Sequence, residues 1–127
     1  APRKPSYRTL VIERPVQAPR DRVWAVLDRL LADGVIGAAA SGVGAERVLS
    51  HEPPWRRATR VELPPLPLVE HTVAIRDDGD ECHLVWAYVA EPPQDEADSA
   101  AADAALAALE RALRDAVERV ATDAERA

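Results

Sequence analysis

The chain has 127 residues and a formal net charge of -6, which predicts one domain over residues 1–127 that is large enough to bury a core. The negative charge argues against nucleic acid or an anionic membrane as a partner, and no apolar run approaches the roughly 20 residues of a membrane span. Cys82 is the single cysteine, which excludes an internal disulfide framework and favours a reducing, cytoplasmic location.

The first two predicted elements are a strand and a helix. Alternation over residues 7–16 puts Leu10 and Ile12 on one face of the strand. Pro19 suits the first turn of the helix, and Gly34 is typical of a helix C-terminus. The small-residue segment 35–45 then predicts a short second helix followed by a turn. The first helix has an apolar stripe formed by Val23, Val26, Leu27, Leu30 and Leu31.

The middle of the chain predicts a run of antiparallel strands. The Asp-Gly turn within residues 77–80 stands between two alternating segments and predicts a hairpin. The prolines at 64–67 predict a stiff connection. Alternating apolar residues predict strands over 46–51, 55–63, 68–76 and 81–90.

Residues 98–123 predict a long C-terminal helix, because the apolar period changes to that of a helix. A sheet with one apolar face must bury that face, and this helix is the only predicted element long enough to cover it. Trp86 and Tyr88 are therefore expected to point from the last strand toward the helix. Its apolar stripe consists of Leu106, Leu109, Leu113, Val117 and Val120.

Three phrases, in their order along the chain, carry a resemblance to a known family. They are "VIERPVQAPRDRVWAVLDRL", "VLSHEPPWRRATRVE" and "DGDECHLVWAYVAEPP". Together they resemble the START-like helix-grip superfamily, also called SRPBCC or polyketide cyclase/dehydrase-like. The resemblance implies an α+β fold in which an antiparallel curved sheet wraps around a long C-terminal helix, with a small hydrophobic ligand between them.

The segment between the first helix and the strand at 46–51 departs from the family pattern. Only "DGVIGAAASGVGA" is available there, so the fold is expected to be shortened by about two strands. An uncovered strand edge invites pairing. A homodimer through an open sheet edge is therefore a further expectation.

His71 and Arg57 are the candidate catalytic residues. His71 could act as a general acid or base near neutral pH, and Arg57 could hold a carboxylate or an enolate oxygen. The structural alternatives are a partly buried histidine bonded to a neighbour and an edge arginine that reaches solvent. Tyr88 and Thr59 could orient a phenol or ketone, although amphipathic packing is the more common role of such a tyrosine.

The ligand of a helix-grip protein is expected to contact both the sheet and the last helix. No metal or cofactor motif is present, since the adjacent residues of "ECH" (81–83) point to opposite faces of a strand. The predicted ligand-binding residues are Trp24, Arg57, Thr59, His71, Leu84, Trp86, Tyr88, Leu109 and Leu113.

Three functions remain open from the sequence. The first is binding of a small hydrophobic or amphipathic ligand, which requires a cavity of a few hundred Å³. The second is a cyclase, aromatase or dehydratase acting on a polyketide-like substrate, which also requires polar groups that converge in the cavity. The third is a ligand-free protein that binds a partner or dimerises, which requires no cavity. The first is preferred, because inner polar residues are few.

Overall fold

The computed structural model describes residues 7–37 and 44–126. The described chain forms five strands and two α-helices, and a short 3-10 turn precedes the last helix. This order confirms the predicted α+β architecture. The elements are β1 (Arg8–Val16), α1 (Arg20–Ala32), β2 (Glu46–Glu52), β3 (Arg56–Leu63), β4 (Leu66–Asp78), β5 (Glu81–Ala90) and α2 (Ser99–Arg126).

The five described strands form one curved antiparallel sheet in the order β1-β5-β4-β3-β2. β1 and β2 are therefore its two edges. The register aligns Leu10, Tyr88, His71, Thr59 and Val48 in one row across the sheet. Residues in one row share a face. Because Thr59, His71 and Tyr88 are buried, this row lies on the inner face.

α1 begins after Pro19, whose carbonyl accepts hydrogen bonds from the backbone N–H groups of Arg22 and Val23. The helix ends before Gly34, whose φ of 71° lies in the left-handed region that favours glycine. Both ends thus agree with the sequence prediction. The buried face consists of Val23, Trp24, Val26, Leu27 and Leu30.

α2 packs against β1, β5 and α1. All five residues of its predicted apolar stripe are buried. Ala121 and Ala124 lie on the same face and have no exposed surface, so the helix backbone approaches its neighbours closely. No helix in the described part of the chain combines the length and the apolar character needed to span a membrane.

A bidentate ion pair joins the C-terminal end of α2 to β1. The Arg14 guanidinium donates to both carboxylate oxygens of Glu125, at 3.1 Å each, and the backbone N–H of Gln17 donates to the same carboxylate at 3.0 Å. The Arg14 contact holds the pKa of Glu125 below its ordinary value. Bidentate geometry of this kind is the favourable form of a partly exposed ion pair.

The start of β4 differs from the prediction by two residues. β4 begins at Leu66, because Leu66 already pairs with Leu63 across the turn at 64–65. The connection is therefore two residues rather than four. In the segment 35–45, residues 35–37 form bends, and the rest of the predicted second helix falls mainly outside the described residues.

Trp55 lies outside β3, although the strand predicted over residues 55–63 begins with it. It lies in the turn between β2 and β3 with 53% of its surface exposed. The Arg20 guanidinium stacks over its ring, 3.9 Å from the ring centroid. A cation above an indole ring is attracted by the ring's quadrupole, and this contact links the turn to the start of α1.

Ala121→Leu is expected to lower the free energy of unfolding by about 1–3 kcal/mol. The larger side chain does not fit between α2 and the elements packed closely against it. Ala107→Leu is the matched control, since Ala107 is exposed on the same helix and such changes stay within about 0.5 kcal/mol. Urea unfolding of both variants measures the difference. Equal stabilities would contradict the close packing of α2.

Candidate functional site

A cavity of about 460 Å³ lies between the inner face of the sheet and one flank of α2. Its wall on the sheet side is mostly apolar, whereas charged side chains of α2 line another part. The bend that follows α1 contributes a third side. The lining residues are Val35, Ile36, Gly37, Val61, His71, Trp86, Leu109, Ala112, Leu113, Asp115, Ala116, Glu118, Arg119 and Thr122.

His71 and Trp86 form the polar contact within this lining. His71 comes from β4 and Trp86 from β5, and strand alternation places both on the inner face. The Trp86 indole Nε1–H donates to Nδ1 of His71 at 3.0 Å. Their ring centroids are 5.8 Å apart and the rings are tilted by 43°. Both side chains are buried, so the contact is part of the core as well as of the cavity.

This hydrogen bond determines the state of the imidazole. An indole nitrogen can only donate, so Nδ1 must be unprotonated and a neutral ring carries its proton on Nε2. Burial lowers the pKa of His71 from 6.5 to about 4, while the nearby Glu46 raises it and Arg57 lowers it. Protonation of Nδ1 would also set two N–H groups against each other. His71 is therefore neutral at physiological pH.

Arg57 belongs to a second polar group on the inner face. Its guanidinium donates to Glu46 at 3.1 Å and to the Thr59 hydroxyl at 3.3 Å. The Arg57 and Glu46 side chains are 13% and 18% exposed. The second oxygen of the Glu46 carboxylate is buried and has no hydrogen-bond partner among the described residues. An unsatisfied buried carboxylate oxygen is rare in folded proteins.

Arg57 lines a different cavity from His71. That cavity has a volume of about 360 Å³ and lies between α1 and the β2–β3 edge of the sheet. Trp24 of α1 packs near it, with its ring centroid 5.5 Å from that of His51. The lining residues are Asp28, Leu31, Ala32, Val48, His51 and Arg57.

The predicted site residues therefore separate into groups. His71, Trp86, Leu109 and Leu113 line the larger cavity, and Arg57 lines the smaller one. The other four predicted residues line neither of these two cavities: Thr59 bonds to Arg57, Leu84 is wholly buried in the core, Tyr88 pairs with His71 in the register, and Trp24 packs near His51.

Sequence reasoning missed much of the helical wall and the bend after α1. Ala112, Ala116 and Arg119 follow Leu109 at intervals of three or four residues, which places them on one flank of α2. The sequence shows this spacing. It does not show which side of the apolar stripe of α2 faces a cavity. Glu46 was also missed, because its contact with Arg57 depends on the register of the β2–β3 hairpin.

The described side chains give no support for a metal site. Among the residues that the structure describes, no three His, Cys, Asp or Glu side chains are arranged to hold a metal ion. The cysteine, Cys82, is buried and uncrosslinked, and burial raises the pKa of its thiol. It therefore lacks the lowered pKa that is typical of a reactive cysteine.

Comparison with known proteins gives matches at the level of structure. No family model and no curated protein matches the chain. A norcoclaurine synthase from Thalictrum flavum, solved with a transition-state analogue, is 15% identical; the match covers 97% of each chain, with a TM-score of 0.61. The ZhuI aromatase/cyclase from Streptomyces is 17% identical over 95% of each chain, with a TM-score of 0.51.

The chain has the helix-grip fold. A third structure, CalU16 from Micromonospora echinospora, is 21% identical with a TM-score of 0.51; that match covers 65% of this chain and 52% of CalU16. The helix-grip architecture expected from the sequence resemblance is thus confirmed. Identities this low establish a shared fold, and the function must be argued from the cavity itself.

The stability of this helix-grip domain should depend on pH through His71. Between pH 6.5 and about 4 the unfolded chain binds the proton more readily than the folded one, so stability falls as pH drops through that window. From pH 7.5 to pH 5 we expect a loss on the order of 2 kcal/mol from this group. Urea unfolding at several pH values measures the loss.

The matched variant is His71→Gln, which keeps an acceptor for Trp86 but does not titrate. Its unfolding free energy should lack this part of the pH dependence. Measurement stops at pH 5 so that carboxylates such as Glu125, which protonate at lower pH, contribute little. Parallel curves for the two proteins would show that His71 titrates normally in the folded state.

Proposed function

We propose that this protein binds a small apolar or amphipathic molecule in the cavity between the sheet and α2. The observation that carries the proposal is the cavity of about 460 Å³ with the buried His71–Trp86 pair in its wall. Small-molecule sites typically measure roughly 300–1,000 Å³, and combine apolar walls with a few polar groups that orient the ligand. This cavity has both properties.

The apolar part of the ligand would lie against Val61, Leu109 and Leu113, beside the face of Trp86. Removing apolar surface from water would supply most of the binding free energy, at about 25 cal/mol per Å² buried. Asp115, Glu118 and Arg119 also belong to the lining, and Glu118 and Arg119 are substantially exposed. A polar end of the ligand can remain there in contact with water.

The structural neighbours support the proposal at the level of the fold. One of them was solved as an enzyme in complex with a transition-state analogue, and another is an aromatase/cyclase. A helix-grip domain can therefore hold an organic ligand. From these neighbours we take only that the fold can enclose a small molecule. Any chemistry must be argued from the residues that line the cavity of this chain.

Cyclase, aromatase or dehydratase activity is the second candidate. It is supported by one polar ring, His71, in the cavity wall. Acid–base catalysis near neutral pH works best with groups that titrate in that range, whereas burial holds the pKa of His71 at about 4. Arg57, its predicted partner, is engaged by Glu46 and lines the other cavity. We therefore rank binding above catalysis.

A homodimer through an open sheet edge also stays a prediction. β2 is an edge strand of the described sheet, and Val48 and Leu49 on it are 46% and 40% exposed. Native mass spectrometry of the purified protein would give the oligomeric state. If a dimer is found, Leu49→Lys should dissociate it, because a charged edge discourages strand pairing, and a dimer unaffected by Leu49→Lys would point to another interface.

Ala112→Trp should weaken ligand binding by filling the cavity. The probe is Nile red, an uncharged dye whose fluorescence rises in apolar surroundings, titrated with wild type and variant. We expect at least a tenfold loss of affinity, because the indole occupies the space of the ligand. Ala112 is only partly buried, so the folded state should tolerate the change.

Ala108→Trp is the control for this experiment. Ala108 is exposed on the same helix and does not line the cavity, so its variant should bind the dye as wild type does. Thermal unfolding of both variants checks that each is folded. Equal dye binding by the two variants would exclude this cavity as the binding site.

A further inference from the structure

We infer that the cavity selects molecules whose buried end is an uncharged oxygen acceptor, such as a ketone or quinone oxygen. His71 is the donor to that oxygen, and Trp86 is the positioning residue that fixes which ring nitrogen donates. This inference rests on the proposed binding function. It adds the chemical class of the ligand.

The first step is the direction of the Trp86–His71 hydrogen bond. Imidazole has two nitrogens, and in its neutral form one donates and the other accepts. The indole N–H, at 3.0 Å from Nδ1, occupies the accepting nitrogen. The donor, Nε2–H, is then the polar group that remains for a ligand, since His71 lines the cavity. Only 5% of His71 and 1% of Trp86 are exposed, so water does not compete with the indole for Nδ1.

The second step is the charge around the cavity. Among the lining residues that the structure describes, Asp115 and Glu118 carry negative charge and Arg119 carries positive charge. Arg119 is held by Asp123 at 3.1 Å. Glu118 is held by Arg14 at 3.2 Å, which leaves the negative charge of Asp115 unpaired among the described lining residues. A ligand carboxylate would therefore enter a lining with excess negative charge and find no free cation in it. Burying an unpaired charge is far more costly than burying a bonded neutral oxygen.

The third step is the cost of leaving the donor unmatched. A purely apolar ligand that reaches His71 would strip water from Nε2–H without replacing its hydrogen bond. Sites that are built to bond a polar atom reject analogues that lack this atom for this reason. The cavity is thus expected to rank ligands in the order neutral acceptor, apolar analogue, carboxylate.

The test uses three naphthalenes of similar shape: 2-acetylnaphthalene, 2-isopropenylnaphthalene and 2-naphthoate. Isothermal titration at pH 7.5, with displacement of Nile red as a second readout, gives their affinities for the wild-type protein. We expect the ketone to bind about two- to tenfold tighter than the alkene, the range of one net hydrogen bond. The carboxylate should bind most weakly of the three.

Three variants test the roles of the two residues. His71→Phe removes the donor and should abolish the preference for the ketone over the alkene. His71→Gln restores an N–H group and should recover part of that preference. Trp86→Phe removes the lock on Nδ1, so the preference should fall even though His71 is still present.

The tautomer itself is read without any variant. Nitrogen chemical shifts of the His71 ring, measured by NMR on the labelled wild-type protein, distinguish a protonated Nε2 from a protonated Nδ1. We expect Nε2–H in wild type and a shift toward a mixture in Trp86→Phe. A purely structural role for Trp86 would leave the ring nitrogens unchanged, so this readout separates positioning from packing.

The outcomes distinguish this inference from the proposed function. Equal affinities for ketone and alkene, a carboxylate that binds as tightly as the ketone, or protonated Nδ1 in wild type would overturn the inference and leave ligand binding in place. If none of the three compounds binds and Nile red is not taken up, the proposed function fails as well. Ketone preference that is lost in His71→Phe supports both.

Discussion

The sheet of this protein has a wider inner face than its long helix can cover. α2 packs against β1, β5 and α1, and the five described strands extend the sheet beyond that contact to β3 and β2. An apolar sheet face must be covered by something. On this side, Val61, His71 and Trp86 line a cavity. The mismatch between helix and sheet is the physical origin of the candidate site.

Close packing on one side of α2 keeps the cavity on the other side open. Ala121 and Ala124 let the helix approach its neighbours, and the Arg14–Glu125 pair fixes its C-terminal end to β1. These contacts hold the helix against β1 and so oppose a shift toward β3 that would fill the space. Arg14, Ala121 and Ala124 do not line the cavity, whereas Leu109 and Leu113 belong both to the core and to the cavity wall.

Local patterns were enough to predict the elements, but not how the inner face is divided. The helical period of Leu106–Val120 and the strand alternation around His71 placed those residues correctly, since each depends on nearby sequence alone. The separation of Arg57 from His71 depends on the register of three strands and on an irregularity between Val48 and Ser50. The helix flank that borders the cavity depends on where α2 rests. Neither the strand register nor the position of α2 can be predicted from a short stretch of sequence.

The ion pair between Arg57 and Glu46 acts on His71 with charges of opposite sign. Glu46 favours an imidazolium and Arg57 opposes it, and the two charges are joined at 3.1 Å. Burial and the Trp86 hydrogen bond then decide the state of His71, and both favour the neutral ring. A neutral His71 whose Nδ1 is occupied by the Trp86 indole can donate one fixed hydrogen bond, from Nε2.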